Sequence, residues 1–246
     1  MNFLNRYRKI PRSILLMISA AFLIHMINAG FILILNIYLR KKGYADESIA
    51  QFNSFRFLGV LFFAFPLGIF IKGKALKPFF LASSLLVPLF SLFLLLSIQG
   101  GNETRITLGF ILWGISFMIL NVCGLPYIMR SAPEEVVSEA ISLNFSTWSL
   151  ATIVSGSLIN ILSRVKEIVI GGVLIPLDEY HIMLVIISIS SLSFILVLFI
   201  KEAKPRSVSS SFFNNLRALG SEYDWKLIGR VLVPDMLIAI DRKSVV

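Results

Sequence analysis

Five long stretches of the chain contain no aspartate, glutamate, lysine or arginine, and this feature constrains the fold more than any other. They cover residues 13–39, 78–102, 106–129, 140–163 and 180–200. A helix needs about 20 mostly apolar residues to cross the hydrocarbon core of a bilayer. A sixth stretch, residues 48–71, is long enough but is interrupted by Arg56. The pattern therefore predicts an all-α membrane protein with six transmembrane helices.

Composition supports this class and excludes several others. The chain has 246 residues, of which 57% are hydrophobic and only 15% are charged, whereas soluble domains carry about a quarter charged residues. These figures argue against a soluble globule, a disordered chain and a coiled coil. The single cysteine, Cys123, excludes an internal disulfide framework. The first apolar stretch exceeds the roughly 7–15 residues of a signal-peptide core, so we interpret it as a retained helix.

The predicted organisation is a six-helix bundle over residues 1–200, followed by a more polar region. The predicted spans cover about 13–39, 48–71, 78–99, 106–129, 140–163 and 180–200, and the apolar run 168–177 is too short to span and is interpreted as an outer loop. Residues 201–226 are predicted to form a cytoplasmic linker with a short amphipathic segment, which an ordinary loop helix would also explain.

Residues 227–240 have the composition of the start of a seventh span. The last six residues, Asp-Arg-Lys-Ser-Val-Val, match the translation of a widely used short-read sequencing adapter. We therefore expect residues 241–246 to be adapter-derived and the natural gene to continue past Ile240 with apolar residues. The alternative is a genuine basic tail on a half-formed helix.

The distribution of basic residues predicts the orientation. With six spans, 14 lysines and arginines lie on the side of the N-terminus and six on the other side. Basic loops stay in the cytoplasm. The prediction is a multi-pass protein of the plasma (inner) membrane with a cytoplasmic N-terminus. The net charge of +9 is explained by this topology, so nucleic acid is not expected as a partner.

Polar side chains inside the spans are the candidates for a substrate cavity, because polar groups in hydrocarbon are costly and usually face a cavity or another helix. At 100° per residue they form stripes on spans one, two, four and five. The candidates are His25, Asn28, Asn36, Asn53, Arg56, Asn121, Asn144 and Trp148. Helix–helix hydrogen bonds are the alternative role for Asn28, Asn121 and Asn144, and packing is the alternative for Trp148.

Arg56 stands out among these candidates because it is the one lysine or arginine inside the six predicted spans. It lies about two turns inside span two and has no acidic residue at helical spacing. Such a charge most often faces water or an anion. Arg56 is therefore predicted to bind an anionic substrate or to form a gating ion pair, and snorkelling to the outer interface is the alternative.

Small residues at four-residue spacing form a further pattern in two of the spans. Ala151 and Ser155 lie four residues apart in span five, and Ala64 and Gly68 do so in span two. Such spacing lets helix backbones approach closely. Both pairs are therefore predicted to be close-packing contacts.

The layout resembles that of the major facilitator superfamily, whose members have two six-helix halves. Residues 10–15 and 233–238 share a proline near a basic residue at the start of a span. The loop between spans two and three resembles the family's loop motif at Gly68 and Lys77, whereas Lys72 replaces its acidic residue. The resemblance implies that spans one, two, four and five border a central cavity and that spans three and six face lipid.

The same resemblance draws attention to the cytoplasmic loops. Their gating candidates are Gly68, Lys72, Lys74, Lys77, Glu134 and Glu135. We expect the lysines after span two to pair with the glutamates after span four, Lys72 with Glu135 in particular. Ser131 and Glu134 have the spacing of a capping box, which would start span five.

The function implied is a secondary active transporter of a small solute that works by alternating access. Expected partners are the lipid bilayer, the solute, a coupling ion and the missing C-terminal half of the natural protein. Catalytic residues, metal ligands and cofactors are not predicted. The alternative is a six-span membrane enzyme or a membrane scaffold. This chain expressed alone is expected to insert without transporting, since half of the cavity wall would be absent.

Overall fold

The computed structural model describes residues 6–165, 167–170 and 173–201. Within them are six helical segments long and apolar enough to cross a membrane, which confirms the predicted number of candidate spans. The predicted amphipathic segment, the start of a seventh span, the terminal hexapeptide and all of the predicted linker except Lys201 lie outside the described residues.

The first five spans are continuous helices and the sixth is made of two. Their bounds are α1 Arg12–Lys41, α2 Asp46–Phe70, α3 Lys77–Gln99, α4 Glu103–Ser131, α5 Val137–Arg164, α6 Glu179–Ser191 and α7 Ser193–Leu198. A 3-10 turn, Glu134–Val136, precedes α5. The capping-box prediction is wrong, because Ser131 is the last residue of α4 and α5 begins after Val136, which has no polar side chain.

Tight turns join the first helices and make consecutive spans antiparallel. Gly43, with φ of +90°, and Gly101, with φ of +68°, lie directly after α1 and α3. Glycine adopts this left-handed conformation without steric cost and commonly ends helices. After α1, the amide of Tyr44 donates to the carbonyl of Leu39, at 3.2 Å. The short turns bring polar loop residues to the two ends of the bundle.

Helix α1 is the most buried of the six candidate spans, and the other helices pack around it and α4. Its main neighbours are α5, α6 and α7, whereas α4 packs against α2 and α3. The predicted close contact of α5 is confirmed: Ala151 and Ser155 are fully buried, and the Ser155 hydroxyl donates to the Met26 carbonyl at 3.1 Å. The site residues therefore meet where α1 and α4 face α2 and α5.

The helix of span six is interrupted at Leu192, within a segment rich in serine. The amide of Leu192 donates to the carbonyl of Ile189, which is a 3-10 contact. Ser188 and Ser191 each donate their hydroxyl to a carbonyl of the preceding turn. Such bonds compete with the helix ladder and bend helices, which accounts for the division of this span into α6 and α7.

A β-hairpin lies between α5 and α6, where the sequence predicted a loop. Strand β1, Glu167–Ile170, pairs antiparallel with β2, Val173–Pro176, with Ile170 opposite Val173. Two glycines separate two runs rich in β-branched residues, which is a hairpin signal. The all-α class predicted for the protein holds, and the connection interpreted as an outer loop contains a short hairpin.

The flanks of the bundle expose large apolar side chains. On α2, Leu61 and Phe62 are each 69% exposed, and on α5 Ile153 is 65% exposed. Contiguous apolar surface of this kind is rare on soluble monomers. The distribution fits a multi-pass membrane protein whose flanks contact lipid or further protein.

Candidate functional site

The candidate site is built around the buried guanidinium of Arg56, which is 8% exposed. Its Nη2 donates to the side-chain oxygen Oδ1 of Asn28, on α1, at 2.5 Å. Its Cζ lies 4.2 Å from the centroid of the Trp113 ring of α4 and 5.4 Å from that of Phe57. Within the described residues no carboxylate forms an ion pair with it. A neutral amide and an aromatic face therefore hold this cation.

Glycines on α2 and α4 make this arrangement possible. A Cβ atom at Gly114 would lie 2.5 Å from the Arg56 carbonyl oxygen and 3.0 Å from its Cγ. A Cβ atom at Gly59, one turn along α2, would lie 3.0 Å from the Ile111 carbonyl oxygen. The contact at Gly114 is closer than real Cβ atoms come, and the contact at Gly59 is tighter than most of them, so the close approach of the two backbones depends on the missing side chain at Gly114 above all. This approach places the Arg56 guanidinium over Trp113.

A pocket of about 230 Å³ lies beside this cluster, between α1, α4 and α5. It brings together four residues that the sequence nominated: His25, Asn121, Asn144 and Trp148. Its other lining residues are Met17, Ala21, Leu120, Gly124, Leu125 and Phe145. The lining combines apolar walls with three hydrogen-bonding side chains, which is the usual make-up of a small-molecule site.

His25 is the most buried polar member of the pocket, with 6% of its surface exposed. Its ring meets the edges of two aromatic rings, Phe117 at 5.4 Å and Trp148 at 5.2 Å between centroids. Its Nδ1 is buried and has no hydrogen-bond partner among the described residues. A buried nitrogen without a partner costs free energy, so this atom is a candidate for contact with a ligand or water.

The two amides of the pocket are differently engaged. The side-chain nitrogen of Asn121 donates to the Phe117 carbonyl of its own helix at 3.3 Å. Across the described part of the chain, the Asn144 side chain makes no hydrogen bond. Asn144 is therefore free to meet a ligand, and neither amide bonds to a neighbouring helix.

The remaining two cavity candidates form a separate contact. The Asn53 side-chain nitrogen donates to the Asn36 side-chain oxygen Oδ1 at 3.2 Å and to the Ile49 backbone carbonyl at 2.9 Å. Asn36 is exposed. This hydrogen bond between side chains joins α1 to α2 close to the C-terminal end of α1. The two residues therefore form a helix–helix contact.

Arg56 and the pocket occupy successive turns of the same two helices. Asn28, which holds Arg56, follows His25 by three residues on α1, and Phe117, which contacts His25, follows Trp113 by four on α4. Residues at these spacings lie on one helix face, about 5 Å apart. The charged cluster and the neutral pocket are therefore neighbouring layers.

The gating candidates in the loops after α2 and α4 do not form the expected pairs. Glu135 pairs with Lys9 at 3.1 Å, so the hypothesised pair with Lys72 is not formed. The neighbouring Glu139 pairs with Arg6 at 3.0 Å. The reason is packing: α5 lies against α1, which brings the start of α5 to the segment preceding α1 and not to the loop after α2.

The other members of that set have individual roles. Lys77 donates to the Leu198 carbonyl at 2.8 Å, and the Lys74 ammonium lies 3.0 Å from the centroid of the Phe70 ring. Gly68 is exposed, and a Cβ atom there would meet nothing within 4 Å. The predicted close packing at Gly68 is therefore wrong, whereas Gly114 has that role. Glu134 lies in the exposed 3-10 turn.

A polar cluster at the opposite end of the bundle was not nominated from the sequence. Lys41 of α1 forms an ion pair with Glu179 of α6. Asp178 caps α6 by accepting from the His181 amide at 3.0 Å, and its carboxylate lies 2.6 Å from the His181 ring Nδ1. Burial opposes ionisation of Asp178, but these two hydrogen bonds, together with the charges of His181 and Lys41, outweigh it and lower its pKa below the ordinary 3.8.

The lowered pKa of Asp178 predicts a pH-dependent contribution to stability. A carboxylate with a lowered folded-state pKa stabilises the protein above its unfolded pKa, and the contribution is lost as the pH falls through the folded value. Asp178→Ala should lower the free energy of unfolding by about 1 kcal/mol at pH 7 and by less below pH 3.8. Asp178→Asn, which keeps a cap, is the control. Thermal unfolding at both pH values checks this; an equal loss at both would contradict it.

Neither a protein-family model nor a curated protein sequence matches this chain. The resemblance to the major facilitator superfamily therefore rests on the layout of the spans and on the loop residues given above. Among the described residues, no group of three or more histidines, cysteines or carboxylates is placed to hold a metal ion. The geometry supplies a buried cation, Arg56, for which residues 6–165, 167–170 and 173–201 provide no counter-charge, next to a small pocket.

Proposed function

We propose that this bundle is one half of a secondary active transporter of the major-facilitator type and that Arg56 binds an anionic group of its substrate. The observation that carries the proposal is the burial of Arg56 against Asn28 and Trp113 without a carboxylate partner among the described residues. A buried charge is costly unless it is compensated. A substrate anion would supply the missing counter-charge.

The contacts of Arg56 suggest how it binds and releases an anion. Asn28 occupies one guanidinium nitrogen with a neutral oxygen, which a carboxylate would replace by a stronger, charge-assisted hydrogen bond. When the anion leaves, Asn28 again satisfies the nitrogen. The site would then alternate between the two sides of the membrane by rocking against a second six-helix half, which would cover the apolar flanks of α2 and α5.

Transport is tested by counterflow in liposomes. The transporter encoded by the complete reading frame is reconstituted into vesicles loaded with unlabelled benzoate or phosphate, and uptake of the labelled anion is followed without ATP. Accumulation above the equilibrium level supports the proposal, since only a carrier exchanges solute in this way. Uptake equal to that of protein-free vesicles, for every anion tested, would contradict it.

We further propose that the N-terminus is cytoplasmic, as the basic loops indicate, and cysteine labelling tests this orientation. Cys123 is the chain's only cysteine and is buried, so Cys123→Ser provides the background. Asn102→Cys, between α3 and α4, should react with an impermeant maleimide in intact cells. Lys74→Cys, between α2 and α3, should react only after permeabilisation. The reverse pattern would overturn the orientation.

A further inference from the structure

The layering of the site carries information about the shape of the substrate. Resting on the proposed transport function, we infer that the substrate is a small single-ring organic anion, whose carboxylate binds Arg56 and whose hydrogen-bonding ring occupies the pocket of His25, Asn121 and Asn144. An inorganic anion would need only the first layer, the charged cluster of Arg56, Asn28 and Trp113. An uncharged ring would need only the second layer, the neutral pocket beside it.

The charged layer suits a planar oxyanion. A guanidinium has five N–H donors in a fixed fork, and the structure shows one hydrogen bond from Arg56, made by Nη2 to Asn28. Its Cζ lies over the Trp113 ring, 4.2 Å from the centroid, so the ring occupies one side of the group and a ligand would meet its N–H edge. A carboxylate matches that edge with two parallel hydrogen bonds.

The second layer suits a flat ring that accepts or donates a few hydrogen bonds. Trp148 and Phe145 supply aromatic walls. The buried His25 Nδ1 and the unbonded Asn144 amide supply polar groups without partners in the described residues. At about 230 Å³, the pocket is smaller than the roughly 300–1,000 Å³ of sites for drug-sized ligands. One ring fits this volume better than a larger scaffold.

The register along α1 sets the distance between the two groups. Asn28, the partner of Arg56, lies three residues from His25, which is a rise of about 4.5 Å. The pocket extends from His25 in the other direction, through Ala21 to Met17. A carboxylate attached directly to one ring extends about this far beyond the ring, and on this ground we place a single molecule across both layers, although Arg56 itself does not line the pocket.

Four probes separate charge, ring and hydrogen bonding. They are nicotinate (all three), benzoate (charge and ring), acetate (charge only) and nicotinamide (ring and hydrogen bonding without charge). Binding to the purified full chain in lipid nanodiscs is measured by calorimetry. We expect nicotinate to bind about tenfold more tightly than acetate, which is about 1.4 kcal/mol, and about a hundredfold more tightly than nicotinamide, which is about 2.8 kcal/mol.

Two substitutions test which layer each of these differences in affinity comes from. Arg56→Gln should reduce nicotinate affinity to that of nicotinamide and leave nicotinamide unchanged. Asn144→Leu should reduce nicotinate affinity to that of benzoate and leave acetate unchanged. Asn160→Leu is the matched control, since Asn160 is an exposed residue of the same helix outside the pocket, and it should change none of the four.

The outcomes distinguish this inference from the proposed function. Equal affinity for acetate and nicotinate in the unmodified chain, or no binding of any probe at millimolar concentration, would overturn the inference. Arg56-dependent counterflow of labelled nicotinate that Asn144→Leu leaves unchanged would also overturn it while supporting anion transport. Two-layer binding of nicotinate without any counterflow would support the site and overturn the transport function.

Discussion

Replacement of Arg56 by glutamine should abolish substrate counterflow while leaving membrane insertion and expression near normal. The guanidinium supplies a full positive charge in a buried setting where the described residues offer no other counter-charge for an anion. Truncating one member of a buried, hydrogen-bonded charge pair costs roughly 3 kcal/mol, which is at least about a hundredfold in affinity. Uptake rates at low substrate concentration measure the loss.

Two comparisons make this result specific. Arg56→Lys should restore only part of the activity, because an ammonium provides charge without the planar two-point contact. Arg105→Gln removes an exposed arginine near the start of α4 and should transport normally. Wild-type rates in Arg56→Gln would remove Arg56 from the mechanism, and full rescue by lysine would exclude the bidentate contact.

Replacement of Gly114 by alanine should destabilise the bundle, whereas the same addition of one methyl group at Gly68 should not. The added Cβ would lie 2.5 Å from the Arg56 carbonyl oxygen and 3.2 Å from its carbonyl carbon. Backbone atoms cannot move aside as a flexible side chain can, so α4 must shift away from α2. Overpacking of this kind costs about 1–3 kcal/mol, which a lowered thermal unfolding midpoint in detergent would report.

Gly68→Ala is the control for this effect, because a Cβ there meets nothing within 4 Å. Alanine has the higher helix propensity by up to about 1 kcal/mol, so this variant should unfold at the same temperature or slightly higher. Equal midpoints for the two variants would contradict the close α2–α4 contact. Gly114→Ala should also weaken anion binding, because the shift separates Arg56 from Trp113.

The positions of the candidate spans could be predicted because they follow from length and hydrophobicity along the chain. Every helical span begins and ends within three residues of its predicted bounds. The hairpin was missed because two short strands produce a weaker signal than a long helix, although the two glycines between them marked it. The break at Leu192 was missed for a related reason, since serines are tolerated in apolar helices.

The polar stripes could also be nominated from helical periodicity, but their partners could not. Asn28 and Arg56 were both candidates, yet nothing in the spacing joins residues 28 positions apart. Glu135 is an example: the nearness of the loops along the chain suggested Lys72 as its ion-pair partner. Because α5 packs on α1, its partner in the structure is Lys9. Trp113 escaped notice because one aromatic residue in an apolar span has no distinguishing periodicity.

By itself, the sequence determined the helical class, the number of candidate spans and the set of polar residues that they carry, because the bilayer imposes a length and helical geometry imposes a face. Only the tertiary structure decided which faces meet. It divided the candidates into the Asn36–Asn53 contact, the Arg56–Asn28 cluster and the His25 pocket. The physical reason is that helix pairing depends on close approach at particular small residues, Gly59 and Gly114 here, and such contacts are non-local.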